Sequence, residues 1–102
     1  ILKLANELAK ENNSKLYFVY LPTIERYKHT YYKSHYKKVI NLVNDLKIPL
    51  INIHLNVFKN HNDPLSLFSI WGREVYPRVG SHDHYNEKGY KLVSKEIYKF
   101  IK

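Results

Sequence analysis

Apolar and polar positions alternate in blocks along the chain, and the period of each block predicts its local structure. Ile1, Leu4, Ala5 and Leu8 recur at helical spacing, and Asn12, Asn13 and Ser14 stop that helix. Residues 16–21 are a continuous apolar run ending at Pro22, the pattern of a short strand covered on both faces in a parallel sheet. Residues 23–33 are polar and aromatic and fit either an irregular excursion or an early helix. Tyr36, Val39, Ile40, Val43 and Leu46 then share one helical face, until Ile48-Pro49 breaks the helix. Residues 50–55 read as a second strand, which places His54 in a strand and makes it a packed side chain. Periodicity disappears from 56 to 85, except at 63–68, where Asp63 can cap a short turn with Pro64 at its first position. Asn86 can cap a last helix with Tyr90, Val93, Ile97 and Ile101 as its inner stripe.

This alternation of helix and strand predicts an α/β fold with parallel strands under helices. Two strands bury too little to stand alone, so further strands are expected from elsewhere in the domain. The 102 residues open at Ile1 and contain no Met, which gives the same expectation: residues 1–102 are the C-terminal portion of one larger domain.

Composition narrows the chemistry. Hydrophobic residues make up 44%, enough for a real core. The absence of Cys excludes a thiolate metal site, a disulfide scaffold and a Cys nucleophile. Three glycines, at 72, 80 and 89, cannot build a P-loop or a dinucleotide fingerprint, and no cofactor is expected. No apolar run approaches the roughly 18 residues of a membrane span. Any export signal would lie upstream, so cytoplasm and cell envelope both stay open.

The net charge of +8 raises the question of a nucleic-acid or anionic partner. Divided by segment, the excess is +1 over residues 1–24, +4 over 25–47, zero over 48–85 and +3 over 86–102. It therefore sits on segments that read as surface helices. Fourteen of the seventeen bases are Lys, a solvated point charge without the bidentate geometry of Arg. The charge is read as helix surface, and no nucleic-acid partner is expected. The rival is a basic, Tyr-rich nucleic-acid module built on Tyr27, Tyr31, Tyr32 and Tyr36 among lysines; these rings could stack bases or sugars, or cover the edge of the sheet.

Chemistry-bearing residues concentrate at 80–90, Gly-Ser-His-Asp-His-Tyr-Asn-Glu-Lys-Gly-Tyr. A His just before a helix can serve as general base toward a hydroxyl or water, and a nearby carboxylate can fix its tautomer. Gly89 in the first helical turn leaves room for another backbone. A polar loop that only caps a helix would use Asp83 and Asn86 in the same way. His82 and His84 have metal-pair spacing, but no third ligand follows at useful spacing, so no metal is expected. His29, His35 and His61 lie in polar segments and are expected to face solvent.

The stretch His84-Tyr85-Asn86-Glu87-Lys88-Gly89-Tyr90 resembles the C-terminal block of SGNH/GDSL-type hydrolases, His-x-Asn-x-x-Gly-aromatic. Residues 16–22 resemble the family's late core strand ending in Pro, and 48–58 the following strand, with Asn52 where relatives often carry Asp. The resemblance spans essentially the whole chain. It implies a flavodoxin-like three-layer α/β/α sandwich with a parallel sheet, acting on acyl esters, often acetyl groups on a glycan. His84 would be the general base for a Ser nucleophile lying upstream of this fragment. The family's usual Asp, three residues before the His, is replaced by Ser81. Three arrangements are open: Asp83 orients His84 from an unusual turn, His84 works as a dyad with a backbone carbonyl as partner, or the protein is a weakened or inactive member. Trp71, Arg73 and Tyr85 are candidate substrate-side residues. A non-catalytic glycan-binding or assembly protein of the same fold is the further alternative.

Overall fold

The computed structural model describes residues 1–28, 35–69 and 84–102. Their order is α1 (Leu2–Glu11), β1 (Phe18–Tyr20), α2 (Glu25–Lys28), α3 (Tyr36–Asp45), β2 (Leu50–Asn52), a wide turn His54–Phe58, a 3₁₀ turn Pro64–Leu67, and α4 (Glu87–Ile101). β1 and β2 are parallel, with Phe18 opposite Leu50, Val19 opposite Ile51 and Tyr20 opposite Asn52. The described residues thus form a mixed helix-and-strand fold around a two-stranded parallel sheet.

Both strands are shorter than the apolar runs predict, and β2 has a visible cause. The Asn52 side-chain oxygen accepts the Leu55 backbone N–H at 3.1 Å, which turns the chain immediately after Asn52. The backbone then coils into a wide turn closed by Lys59 N–H donating to the His54 carbonyl at 2.8 Å. His54 therefore begins that turn and is not a strand residue.

Each of the first two long helices ends in a residue of the left-handed region, Asn13 at φ 55° and Lys47 at φ 56°. Ser14 N–H reaches back to the Ala9 carbonyl and Ile48 N–H to that of Val43, so the frayed carbonyls are satisfied. Asn tolerates this conformation better than Lys does.

The core joins Ile24, Ile51, Ile53, Phe58, Leu67, Phe68 and Val93, all buried. Phe58 is its hub. Its ring lies 5.4 Å from Tyr27 in a stacked arrangement, 5.3 Å from Phe68 and 5.2 Å from Tyr85. Truncating such a ring to Ala costs about 3–5 kcal/mol. Tyr27 and Tyr36 of the Tyr-rich stretch are packing residues: Tyr36 meets the Tyr20 ring edge-on at 4.9 Å. Tyr31 and Tyr32 lie outside the described residues.

Two apolar stripes differ from expectation. None of α1 is buried, and its Leu4 and Leu8 are exposed. On α4, Val93 is buried and Ile97 packs against the core, but Tyr90 and Ile101 are more than half exposed. The inner face is instead set by Gly89, whose missing side chain lets α4 approach the turn Pro64–Leu67. A Cβ at Gly89 would collide with the Leu67 carbonyl oxygen. Gly89→Ala should therefore destabilise the protein by about 2 kcal/mol or more in urea unfolding, against the roughly 1 kcal/mol gain that Ala gives in an ordinary helix. A gain in stability would show that α4 does not sit this close.

Candidate functional site

α4 begins at a joint made by Asn86. Its side-chain oxygen accepts the Gly89 N–H at 2.9 Å, the N-cap bond predicted from sequence. Its amide nitrogen donates to the Ser66 carbonyl at 2.7 Å and the Phe68 carbonyl at 3.0 Å. Its backbone N–H donates to the Leu67 carbonyl at 2.9 Å. One side chain thus caps α4 and satisfies carbonyls around the end of the 3₁₀ turn. The turn itself starts at Asp63 as predicted, but without a side-chain cap bond. The Ser66 hydroxyl and amide both donate to the Asp63 carbonyl instead.

This joint presents His84. The Ser69 N–H donates to the His84 carbonyl at 2.7 Å, and Phe68 and Tyr85 form an antiparallel bridge. The Tyr85 hydroxyl donates to the Pro22 carbonyl at 2.7 Å. The main chain from the His84 carbonyl onward is therefore anchored, while the His84 side chain is exposed. Among the described residues its ring has no hydrogen-bond partner. It lines a shallow hollow of about 270 Å³ with Leu21, Pro22, Thr23, Tyr85 and Tyr90. Leu21 to Thr23 directly follow β1, so the hollow lies beside the carboxyl end of a parallel strand, where open α/β sheets bind ligands. An accessible imidazole held there on a fixed backbone can exchange a proton with a bound hydroxyl or water.

Asp83, expected as the partner of His84, lies outside the described residues, as do Ser81, His82, Trp71, Arg73 and His29. Tyr85 is at the hollow, but its hydroxyl is committed to Pro22. His35 is exposed; His61 is only partly so, and its Nδ1 accepts the Asp63 N–H at 3.0 Å. Among the described residues no group of three His, Asp or Glu could hold a metal ion, and no helix is long and apolar enough to cross a membrane.

A second constellation escaped the sequence reading. His54 Nε2 receives the Arg26 Nε–H at 3.1 Å, and Nδ1 lies 2.6 Å from the Tyr27 hydroxyl. Arg26 can only donate, so Nε2 carries no proton. The neutral ring then holds its proton on Nδ1 and donates it to Tyr27. The Arg26 guanidinium stacks on Tyr36 at 4.5 Å, and the Tyr36 hydroxyl accepts from the Asn52 amide at 2.7 Å. These contacts bind α2 to the end of β2, and α2 follows directly from the 21–23 wall of the His84 hollow. The only sequence signal was Arg26-Tyr27 shortly after a strand-ending Pro, which periodicity does not separate from an ordinary loop.

Burial, with the charges of Arg26 and then Lys59, depresses the His54 pKa to about 4. Burial raises the Tyr27 phenol well above its usual range, so it stays protonated. Comparison of the chain with family models, curated proteins and solved structures finds no match.

The depressed His54 pKa fixes the sign of an acid response. Between about pH 6.5 and 4 the unfolded chain binds a proton on this residue that the folded chain refuses, so stability falls as pH falls through that window. Screened by solvent at this partly exposed ring, the loss should be about 1–2 kcal/mol in urea unfolding at pH 4 relative to pH 7. His54→Gln should start less stable and show a flatter pH dependence over the same window. An equally steep variant would assign the acid response to other groups.

Proposed function

We propose that the chain is the base-bearing part of an SGNH-type hydrolase of acyl esters, acetyl esters on a glycan being the favoured class. The observation that carries this reading is His84: an accessible imidazole on an anchored backbone, beside the carboxyl end of β1. The Asn-x-x-Gly segment that follows works mechanically as such a block requires, Asn86 capping α4 and Gly89 admitting the Leu67 carbonyl.

In this reading the fold is a three-layer α/β/α sandwich. Alternate strand residues meet different helices, which supports it. Tyr20 and Asn52 contact Tyr36 at the start of α3, while Ile51 clusters with Val93 and Ile97 of α4. The exposed Leu4 and Leu8 stripe of α1 suits a domain with more strands and helices than the described residues supply.

The reaction would run through a Ser nucleophile contributed from outside these 102 residues. His84 takes the Ser hydroxyl proton as the oxygen attacks the acyl carbon, then gives it to the leaving alcohol; water repeats the cycle on the acyl-enzyme. Asp83, the adjacent carboxylate, is the proposed group that orients His84. In the intact protein, His84→Ala should lower acetyl-ester turnover by about 10³-fold or more with the fold unchanged by circular dichroism. A fluorophosphonate probe should label one Ser outside these residues. Near-wild-type turnover by the variant, or no labelled Ser, would contradict the hydrolase and favour a non-catalytic role for the same hollow.

A further inference from the structure

Beyond the hollow at His84, the outer face of α4 carries an arrangement that the hydrolase reading does not use. Lys88, Lys91, Lys95, Lys99 and Lys102 follow at intervals of 3, 4, 4 and 3 residues, which aligns them on one side of the helix. The row is about 21 Å long at the α-helical rise, with a cation roughly every 5–6 Å. All five are exposed. Of these five, only Lys99 has an ion-pair partner among the described residues, Glu96 at 3.3 Å. A helix meant only to be soluble would intersperse both signs along this face.

Two hollows flank the row. The first is lined by Asn86, Glu87, Lys88 and Lys91. The second, about 350 Å³, lies toward the C-terminal end, where Lys95 and Lys99 stand beside Asn56, Asn60, His61 and Glu96 over the apolar Val57 and Leu92. Glu96 is fixed by the Asn56 amide at 2.9 Å. The Asp63 N–H on His61 Nδ1 leaves Nε2 as the proton-bearing, donating nitrogen of the neutral ring. Each hollow therefore offers cationic donors together with a carboxylate acceptor, and the second adds the remaining amide N–H of Asn56 and of Asn60.

We propose that this face is a docking track for a linear anionic polysaccharide. The spaced lysines match carboxylates repeated along a polymer of sugar rings, and the hollows suit the rings between them. The carboxylates decide between polyanions. Sugar hydroxyls both donate and accept, so Glu87 and Glu96 can receive hydrogen bonds from them. A DNA backbone presents acceptors only and has no proton to give to either. The all-Lys row also lacks the guanidinium forks that read bases. Lys88 follows His84 by four residues in sequence, and none of the five lysines lines the His84 hollow. Docking does not depend on the chemistry at His84.

The test is binding of polygalacturonate to the protein at low and moderate salt, with a neutral glucan and oligo-dT as parallel probes. The wild-type protein should bind polygalacturonate, more weakly as salt rises, and prefer it to both other polymers. Replacing Lys88, Lys91, Lys95, Lys99 and Lys102 by Gln should weaken binding by about 30-fold or more, the combined effect of five exposed ion pairs. A control with Lys3, Lys10, Lys37, Lys38 and Lys47 changed to Gln has the same net charge and should keep most of the affinity. Equal losses in the two variants, no binding of polygalacturonate, or tighter binding of oligo-dT or the neutral glucan would overturn the proposal.

Discussion

The geometry of the described residues depends most on the joint at Asn86. A neutral carboxamide is the side chain that can accept the Gly89 N–H and donate to two backbone carbonyls at once. Ser and Thr could supply the cap but have one proton to give; Asp could supply the cap but has none. Gly89 completes the joint by letting α4 come against Leu67. The result is a rigid corner between the 3₁₀ turn and α4, and His84 stands two residues before it. Main-chain bonds at the corner thus fix the backbone that carries the imidazole.

A second, aromatic layer carries that corner to the sheet. Tyr85 packs on Phe58 and Phe68 while its hydroxyl reaches Pro22. Tyr27 stacks on Phe58 and bonds His54, and Arg26 bonds His54 from the other side. The carboxyl ends of β1 and β2, the start of α2 and the residues before α4 are therefore linked through one set of rings. Buried polar contacts of this kind fix a unique arrangement when every member is satisfied. Here a neutral imidazole sits between a guanidinium and a phenol, an arrangement that lasts only while His54 remains unprotonated.

The long-period features of this fold were legible in the sequence. The stripe of α3, the two apolar runs and the Asn-x-x-Gly start of α4 each declare themselves through spacing. What was not legible depends on contacts between distant positions. The apolar run at 50–55 does not reveal that Asn52 will capture the Leu55 N–H and end the strand. Tyr90 and Ile101 lie near the apolar side of α4 by spacing, but the close approach at Gly89 rotates the inner face toward Val93 and Ile97. His54 read as a packed residue, which is half of its role; its two hydrogen bonds come from residues 27 and 28 positions earlier. At the site, His84, Asn86 and Gly89 were named from the motif alone, whereas the hollow's other wall at 21–23 is joined to them only in three dimensions.

The direct measurement is the stability of Asn86→Asp in urea at neutral pH. Asp caps helices as well as Asn does, so a residue that only caps α4 would tolerate the change within a few tenths of a kcal/mol. If Asn86 is the joint, the carboxylate faces the Ser66 and Phe68 carbonyls with no proton to offer. The protein should then lose about 2–4 kcal/mol. Unchanged stability would mean that the corner, and with it the placement of His84, is held by something else.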